Sequence, residues 1–211
     1  MVETGISDTK QRILIAAESL FAEFGLAGVT LRQITTHAGA NLAAVNYHYY
    51  DKESLCREIF IRRIRPINIA RLQALRQLEY ARPDRTVPLA EIMDAMARPL
   101  LFCGRDPDGY NPNSRRLLGR IFTEPLPFAR DFAATELQPT MTRFGQAIRR
   151  HLPGVSPKDF VWRYTHVVGA LHHTLATLHD MTARTNGVCG DGDAEGALKN
   201  FIVVGVQVFT P

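Results

Sequence analysis

Between Phe24 and Tyr50 the chain has no Asp or Glu, while Arg32, His37 and His48 are present. A surface that meets phosphates excludes carboxylates, so this one-sided charge is the first chemical signal. Other chemistries lack their residues. No G-x-S-x-G, H-E-x-x-H, Walker loop or G-x-G-x-x-G occurs. Gly190-Asp191-Gly192-Asp193 follows no strand and lacks the ligand series of a calcium loop. His166, His172, His173 and His179 invite a zinc site, but no two of them stand three or four apart on a helix. Core or pocket roles suit them better. No metal and no cofactor are expected, and an enzyme is the weakest reading.

Two short helices must position the candidate surface, from Thr30 to Lys52. Leu31, Ile34 and Ala38 share one helical face. Thr30 and Gln33 form a capping box, and Gly39 ends that helix where a left-handed residue is cheap. Asn41 caps the second helix, which carries Leu42, Val45 and Tyr49 on one side. Two helices of about eight residues do not persist alone, so they need a wall to lie against. The spacing fits an ordinary helical hairpin as well as a DNA-binding helix-turn-helix.

The residue types separate the two. Thr30-Leu31-Arg32-Gln33-Ile34, Ala38-Gly39, Val45-Asn46-Tyr47-His48-Tyr49 and Lys52-Glu53-Ser54-Leu55 closely resemble the N-terminal domain of TetR/AcrR-family transcriptional regulators. Asn46 stands where that family most often has Tyr, and Tyr49 replaces its usual Phe. Asn-Leu-Ala-Ala-Val-Asn-Tyr-His is similar to the branch with CecR-like C-terminal domains and fatty-acid-responsive members. The segments at 88–92, Arg116 to Arg120, Glu124-Pro125 and Leu137 to Pro139 resemble that C-terminal domain. The resemblance implies a DNA-binding domain at 7–67 and a ligand-binding and dimerisation domain at 68–211. It assigns DNA contact to Thr30, Arg32, Asn41, Leu42, Ala43, Ala44, Asn46, Tyr47, His48 and Lys52, and the family counterpart of Lys52 touches phosphate. Leu42 has two readings, an apolar contact to a thymine methyl or an anchor into its own core.

Composition is compatible with this. At 211 residues, 45% hydrophobic and 22% charged, the chain can build a full core. A net charge of +4 permits a polyanionic partner without requiring one. Residues 1–65 hold eight Lys/Arg against seven Asp/Glu, so a basic patch must come from arrangement. Three scattered cysteines, Cys56, Cys103 and Cys189, argue against a disulfide framework and fit a reducing cytosol. No apolar run approaches bilayer length, so a cytoplasmic protein without a membrane partner is expected.

The pattern along the chain predicts an all-α fold of about nine helices. After a loose leader to Ser7, Ile13, Ala17, Leu20, Phe21 and Phe24 mark a helix from Asp8 that Gly25 stops. Asp51 caps a long helix through Leu55, Ile59, Leu72, Leu75 and Leu78, with Pro66 as a kink and a mechanical link between domains. Further helices are expected from Leu89, over Arg115 to Phe122, over Phe128 to Ile148 with a kink at Pro139, and from Ser156 to about His179. A loop at 104–112 separates the first two. Ala197 to Phe209 has strand-like residues but no partner strand, and is read as helix.

The second domain holds Met93, Met96, Phe128, Phe132, Phe144, Trp162 and Tyr164, a stripe that fits either plain core or an apolar effector pocket. Arg120, Arg163, His172 and His173 are the polar candidates to orient a ligand there. The apolar runs Val167 to Leu171 and Ile202 to Val206 fit the homodimer interface that the resemblance implies, or a buried helix. The favoured reading is a homodimeric regulator that binds a double-stranded DNA operator and answers to a small apolar effector. The competitor is an all-α ligand-binding or interaction protein without sequence-specific DNA binding.

Overall fold

A computed structural model describes residues 3–83, 86–103, 105–106, 109–110, 112–189, 193, 196–198, 200–201 and 203–204. Among them the fold is all-α, with one minimal exception. Helix α1 spans Glu3–Phe24, α2 Leu31–Ala38, α3 Leu42–Tyr49, α4 Lys52–Tyr80 and α5 Leu89–Leu101. Helix α6 spans Pro112–Thr123, α7 Ala129–Phe132, α8 Gln138–Arg149 and α9 Pro157–Arg184. Between α5 and α6, Arg105 and Asp106 pair with Tyr110 and Gly109 in a two-residue antiparallel ladder inside the expected loop. Residues 196–198, 200–201 and 203–204 are helical; 205–209 of the last expected helix lie outside the described residues.

Several elements differ from expectation. Helix α1 begins at Glu3, inside the supposed leader, and Phe24 at its end is 53% exposed rather than on the buried face. Helix α9 continues to Arg184. The helix expected over 128–148 is present from Ala129 to Arg149, but a π-helical turn at Ala133–Leu137 divides it into α7 and α8. Pro139 follows directly after that π-helical turn, in the first turn of α8, so the irregular turn stands beside the residue that cannot donate a backbone N–H.

The core runs through both expected domains as one cluster. Ile13, Ala17 and Phe21 of α1 meet Ile34 of α2, Val45 of α3 and Leu55 and Ile59 of α4. This is the wall the two short helices required. Phe60 of α4 then stacks edgewise on Phe132, with Phe128 beside both. The expected division at 67/68 falls inside α4, which continues past it to Tyr80. Pro66 lies within that helix, flanked by buried Ile64 and Ile67.

Helix α6 lies between α1 and α9 and touches both extensively. At Gly119 the approach to α9 is so close that a Cβ would stand 2.7 Å from the Ala176 Cα. That atom is backbone and cannot rotate away. Gly119→Ala should therefore destabilise the protein by about 1–3 kcal/mol through overpacking, read as a lower urea midpoint with an unchanged m-value. Gly154→Ala, where nothing lies within 4 Å, is the control expected to change little.

Candidate nucleic-acid interface

The local signals in Thr30–Lys52 fold as their chemistry dictates. Thr30 Oγ1 accepts from Gln33 N (3.2 Å) and Gln33 Oε1 accepts from Thr30 N (2.8 Å), closing the capping box on α2. Gly39 ends α2 in the left-handed region, φ 58°. Asn41 Oδ1 accepts from Ala44 N at 2.8 Å and starts α3. Such a cap contributes about 1 kcal/mol. Asp51 accepts from Ser54 N at 2.7 Å and starts α4; that bond holds its carboxyl below the usual carboxylate range.

Long-range contacts then fix this unit on α1. Arg12 donates to the carbonyls of Ala38 (2.9 Å) and Gly39 (3.3 Å), answering carbonyls left open at the end of α2. Tyr49 is buried on the inner side of α3, and its hydroxyl donates to Lys10 O at 3.0 Å. Burial, reinforced by Glu58, pushes this phenol up to about 12, so it keeps its proton. Val45 is wholly buried beside it.

With Val45 and Tyr49 turned inward, the opposite side of α3 faces solvent. Leu42 is 50% exposed and Tyr47 79% exposed, and Asn41, Ala43 and Asn46 are exposed as well. Leu42 is thus not an anchor in its own core. Ala44 and His48 are partly covered, and the His48 ring packs edgewise on Tyr47. Thr30 and Arg32 are exposed at the start of α2. All of these side chains reach solvent, and none of them is a carboxylate.

Lys52 has a role that no sequence signal disclosed. Its ammonium donates to Leu26 O and Val29 O, both at 2.9 Å, and so ties α4 to the link between α1 and α2. One of its three N–H donors remains for other partners. From the far side, Arg120 of α6 donates to Ala22 O (3.0 Å) and Glu23 O (2.8 Å), and Glu124 accepts from Leu26 N (3.1 Å). Arg120 and Glu124 also pair with each other. The expectation that Arg120 orients a ligand in the second domain fails, because its guanidinium is taken up by the end of α1.

The remaining pocket candidates do not form one cluster. Met93, Met96, Phe132 and Phe144 are fully buried, and Phe128 nearly so. Tyr164 joins two methionines: its hydroxyl donates to Met141 O at 2.7 Å and lies 4.0 Å from Met96 Sδ. Arg163 is buried and His172 half-buried on α9. Trp162, 58% exposed and stacked on His166, and His173 face outward, away from that interior. On α9 the side facing solvent is simply the one that carries them.

Two sequence families match this chain. Residues 13–59 match the bacterial regulatory proteins of the tetR family, and 94–205 match the tetracyclin repressor-like C-terminal domain. The HTH-type transcriptional repressor BepR of Brucella suis biovar 1 is 36% identical over 70 residues, which is 33% of this chain and 34% of that protein. The match thus spans about a third of the length of that curated relative. NalD of Pseudomonas aeruginosa, the secondary repressor of the MexAB-OprM multidrug efflux pump, shares the fold with a TM-score of 0.65 at 21% identity, over 95% of this chain and 97% of its own. PfmR, a TetR family transcriptional regulator from Thermus thermophilus, shares it with a TM-score of 0.55 at 18% identity, over 95% and 100%.

The geometry of Lys52 gives a sharp test. If its two carbonyl bonds hold the α1–α2 link, Lys52→Met should lower unfolding free energy by about 1–3 kcal/mol in urea denaturation, since two carbonyls lose their partner. A side chain that met only phosphate would leave stability within about 0.5 kcal/mol.

Proposed function

The chain belongs to the TetR family of bacterial regulatory proteins, DNA-binding regulators of transcription rather than enzymes, and from that premise we propose that it is a homodimeric repressor released by a small-molecule effector. Two copies of α3 would enter successive major grooves of a palindromic operator, about 34–36 Å apart. The single observation behind this reading is the outward side of α3. Asn41, Leu42, Asn46 and Tyr47 are exposed there on a helix pinned from behind by buried Val45 and by Tyr49, whose hydroxyl is held by Lys10 O. Rigid mounting matters because base contacts demand fixed register.

Support for a second subunit comes from apolar side chains left at the surface late in the chain: Val161 and Trp162 on α9, and Phe201 and Val204 in the last helical stretch. Small, uncovered Gly169 would let a facing helix approach closely. A cytoplasmic setting agrees with the scattered free cysteines, and among the described residues no helix is long and apolar enough to cross a membrane. A second-domain effector would favour a dimer with wrongly spaced heads; reversing a 99:1 population takes a preference of about 5.5 kcal/mol.

Operator fragments selected from genomic DNA provide the first test. Leu42→Ala and Tyr47→Ala should each reduce discrimination between operator and random DNA by about 1–3 kcal/mol per lost base contact, with little change in non-specific affinity. Binding should weaken steeply with salt. Flat salt dependence and equal affinity for all sequences would mean an all-α ligand-binding protein instead.

The contact between α6 and α1 generates a second test. Arg120→Met removes the donors to Ala22 and Glu23 carbonyls but none of the exposed side chains of α3. Operator affinity without effector should fall less than tenfold, while the effector's power to release DNA should fall at least tenfold. Effector affinity itself, read by calorimetry, should stay unchanged.

A further inference from the structure

Arg71 of α4 is the largest fully buried side chain among the described residues, 2% exposed. A guanidinium has five N–H donors and no acceptor. Here Nε donates to Met96 O at 2.7 Å and Nη1 reaches Asn68 Oδ1 at 3.4 Å, while Nη2 is enclosed with no hydrogen-bond partner. Among the described residues no carboxylate pairs with it, although Arg63, Arg65, Arg82, Arg120 and Arg143 each have one. Burial lowers its pKa only to about 10, so it remains a cation at neutral pH. The acidic groups whose charge it would feel are Tyr164 and Cys103, and burial pushes the Tyr164 phenol up, so it supplies no negative charge.

A buried ion without a counter-ion and a buried donor without an acceptor are both costly, and folded proteins rarely keep either without a use. The side chains around it narrow the use. Met96 and Met141 flank Tyr164, which approaches both sulfurs. Methionine has three rotors and a polarisable sulfur, so this lining can repack around an apolar guest. His172 is held neutral, its pKa pushed down to about 3 by burial first and the Arg71 charge second. The planar fork of a guanidinium matches a carboxylate with two parallel hydrogen bonds.

We infer that Arg71 is the binding partner of an organic carboxylate with an apolar body, a site that gives the effector of the regulator reading its chemical class. Nη2 meets one carboxylate oxygen, and the apolar body lies among the methionines. The site also has a mechanical outlet. Asn68, the Nη1 partner, donates to Glu136 O at 2.6 Å in the π-helical turn, and Glu136 accepts two bonds from Arg65, next to Pro66. An anion drawing Arg71 away from Asn68 would disturb this chain of contacts at the linking helix.

The test uses the full chain with octanoate and benzoate as probes, and octanamide, benzamide and sodium chloride as controls. Calorimetry and Tm read binding without DNA. At least one acid should bind wild type and raise Tm, with its amide weaker by at least about a hundredfold. Arg71→Met should lose the same factor, and Arg71→Lys, which keeps the charge but not the fork, should lie between. If Arg71→Met does not fold, Arg71→Lys against the acid and amide pair carries the comparison. The assignment is overturned if neither acid binds, if amides bind as well as acids, if Arg71→Met binds the acids undiminished, or if chloride alone gives the Tm rise. DNA binding is measured separately on the same preparations. Wild type that binds an acid but no DNA sinks the regulator reading and leaves the Arg71 site standing, and DNA binding without acid binding does the reverse.

Discussion

The C-terminal end of α1 is where the second half of the chain is fastened to the helices that carry α3. A helix end leaves carbonyls without intrahelical partners and carries partial negative charge, so cations gather there. Arg120 from α6 takes the carbonyls of Ala22 and Glu23, and Lys52 from α4 takes those of Leu26 and Val29. Glu124 completes the junction by accepting from Leu26 N. Gly25 makes this density possible: its φ is +74°, and a Cβ there would stand 2.6 Å from Glu124 Oε1. The left-handed φ disfavours a larger residue, and any Cβ would push the Glu124 carboxylate out of the junction.

The junction matters because α6 is not free to move alone. Its Gly119 lies flush against Ala176 of α9, so a shift of α9 carries α6 along, and α6 carries the end of α1. Helix α1 in turn holds both short helices: Arg12 grips the end of α2, and Lys10 O receives the Tyr49 hydroxyl of α3. Packed helices with few voids transmit displacements rather than absorb them. The buried core joins the two halves in one cluster, which makes independent rocking of the head costly.

What is legible in the sequence is local. The capping box at Thr30 and Gln33, the left-handed Gly39 and the caps Asn41 and Asp51 are fixed by neighbours within four residues, and spacing alone discloses each; the same spacing groups Leu42 with Val45 and Tyr49, yet only the latter two are buried. Most of the helices follow from apolar periodicity for the same reason. What cannot be read depends on distant partners. Nothing near Lys52 says that it reaches carbonyls 23 and 26 residues away. Arg120 reads as a pocket residue because its partners at Ala22 and Glu23 lie 98 and 97 positions upstream. Trp162 and Phe24 show the other limit: an aromatic at helical spacing reads as core until the burying neighbour is found missing. The π-helical turn escapes notice because a five-residue hydrogen-bond step leaves no residue signature, and Pro139 suggests a kink in its place.

That turn also changes how the proline in α4 should be understood. Pro66 removes the N–H that would answer the carbonyl of Arg62, so α4 is weakest there and would be expected to bend freely. Yet Arg65 grips Glu136 through two bonds of 2.8 Å, and Asn68 donates to the backbone of the same residue. The bidentate pair holds the Glu136 carboxyl below the usual carboxylate range. Because Arg65 is open to solvent, the pair adds little stability. Its consequence is geometric. The helix just before and just after the weak point is fastened to a single external residue, which lies in a turn that is itself irregular. A bend at Pro66 must therefore move the π-helical turn with it or release Glu136. The local weakness that Pro66 gives α4 is thus tied to Glu136, a contact set by packing far outside that helix's own local code.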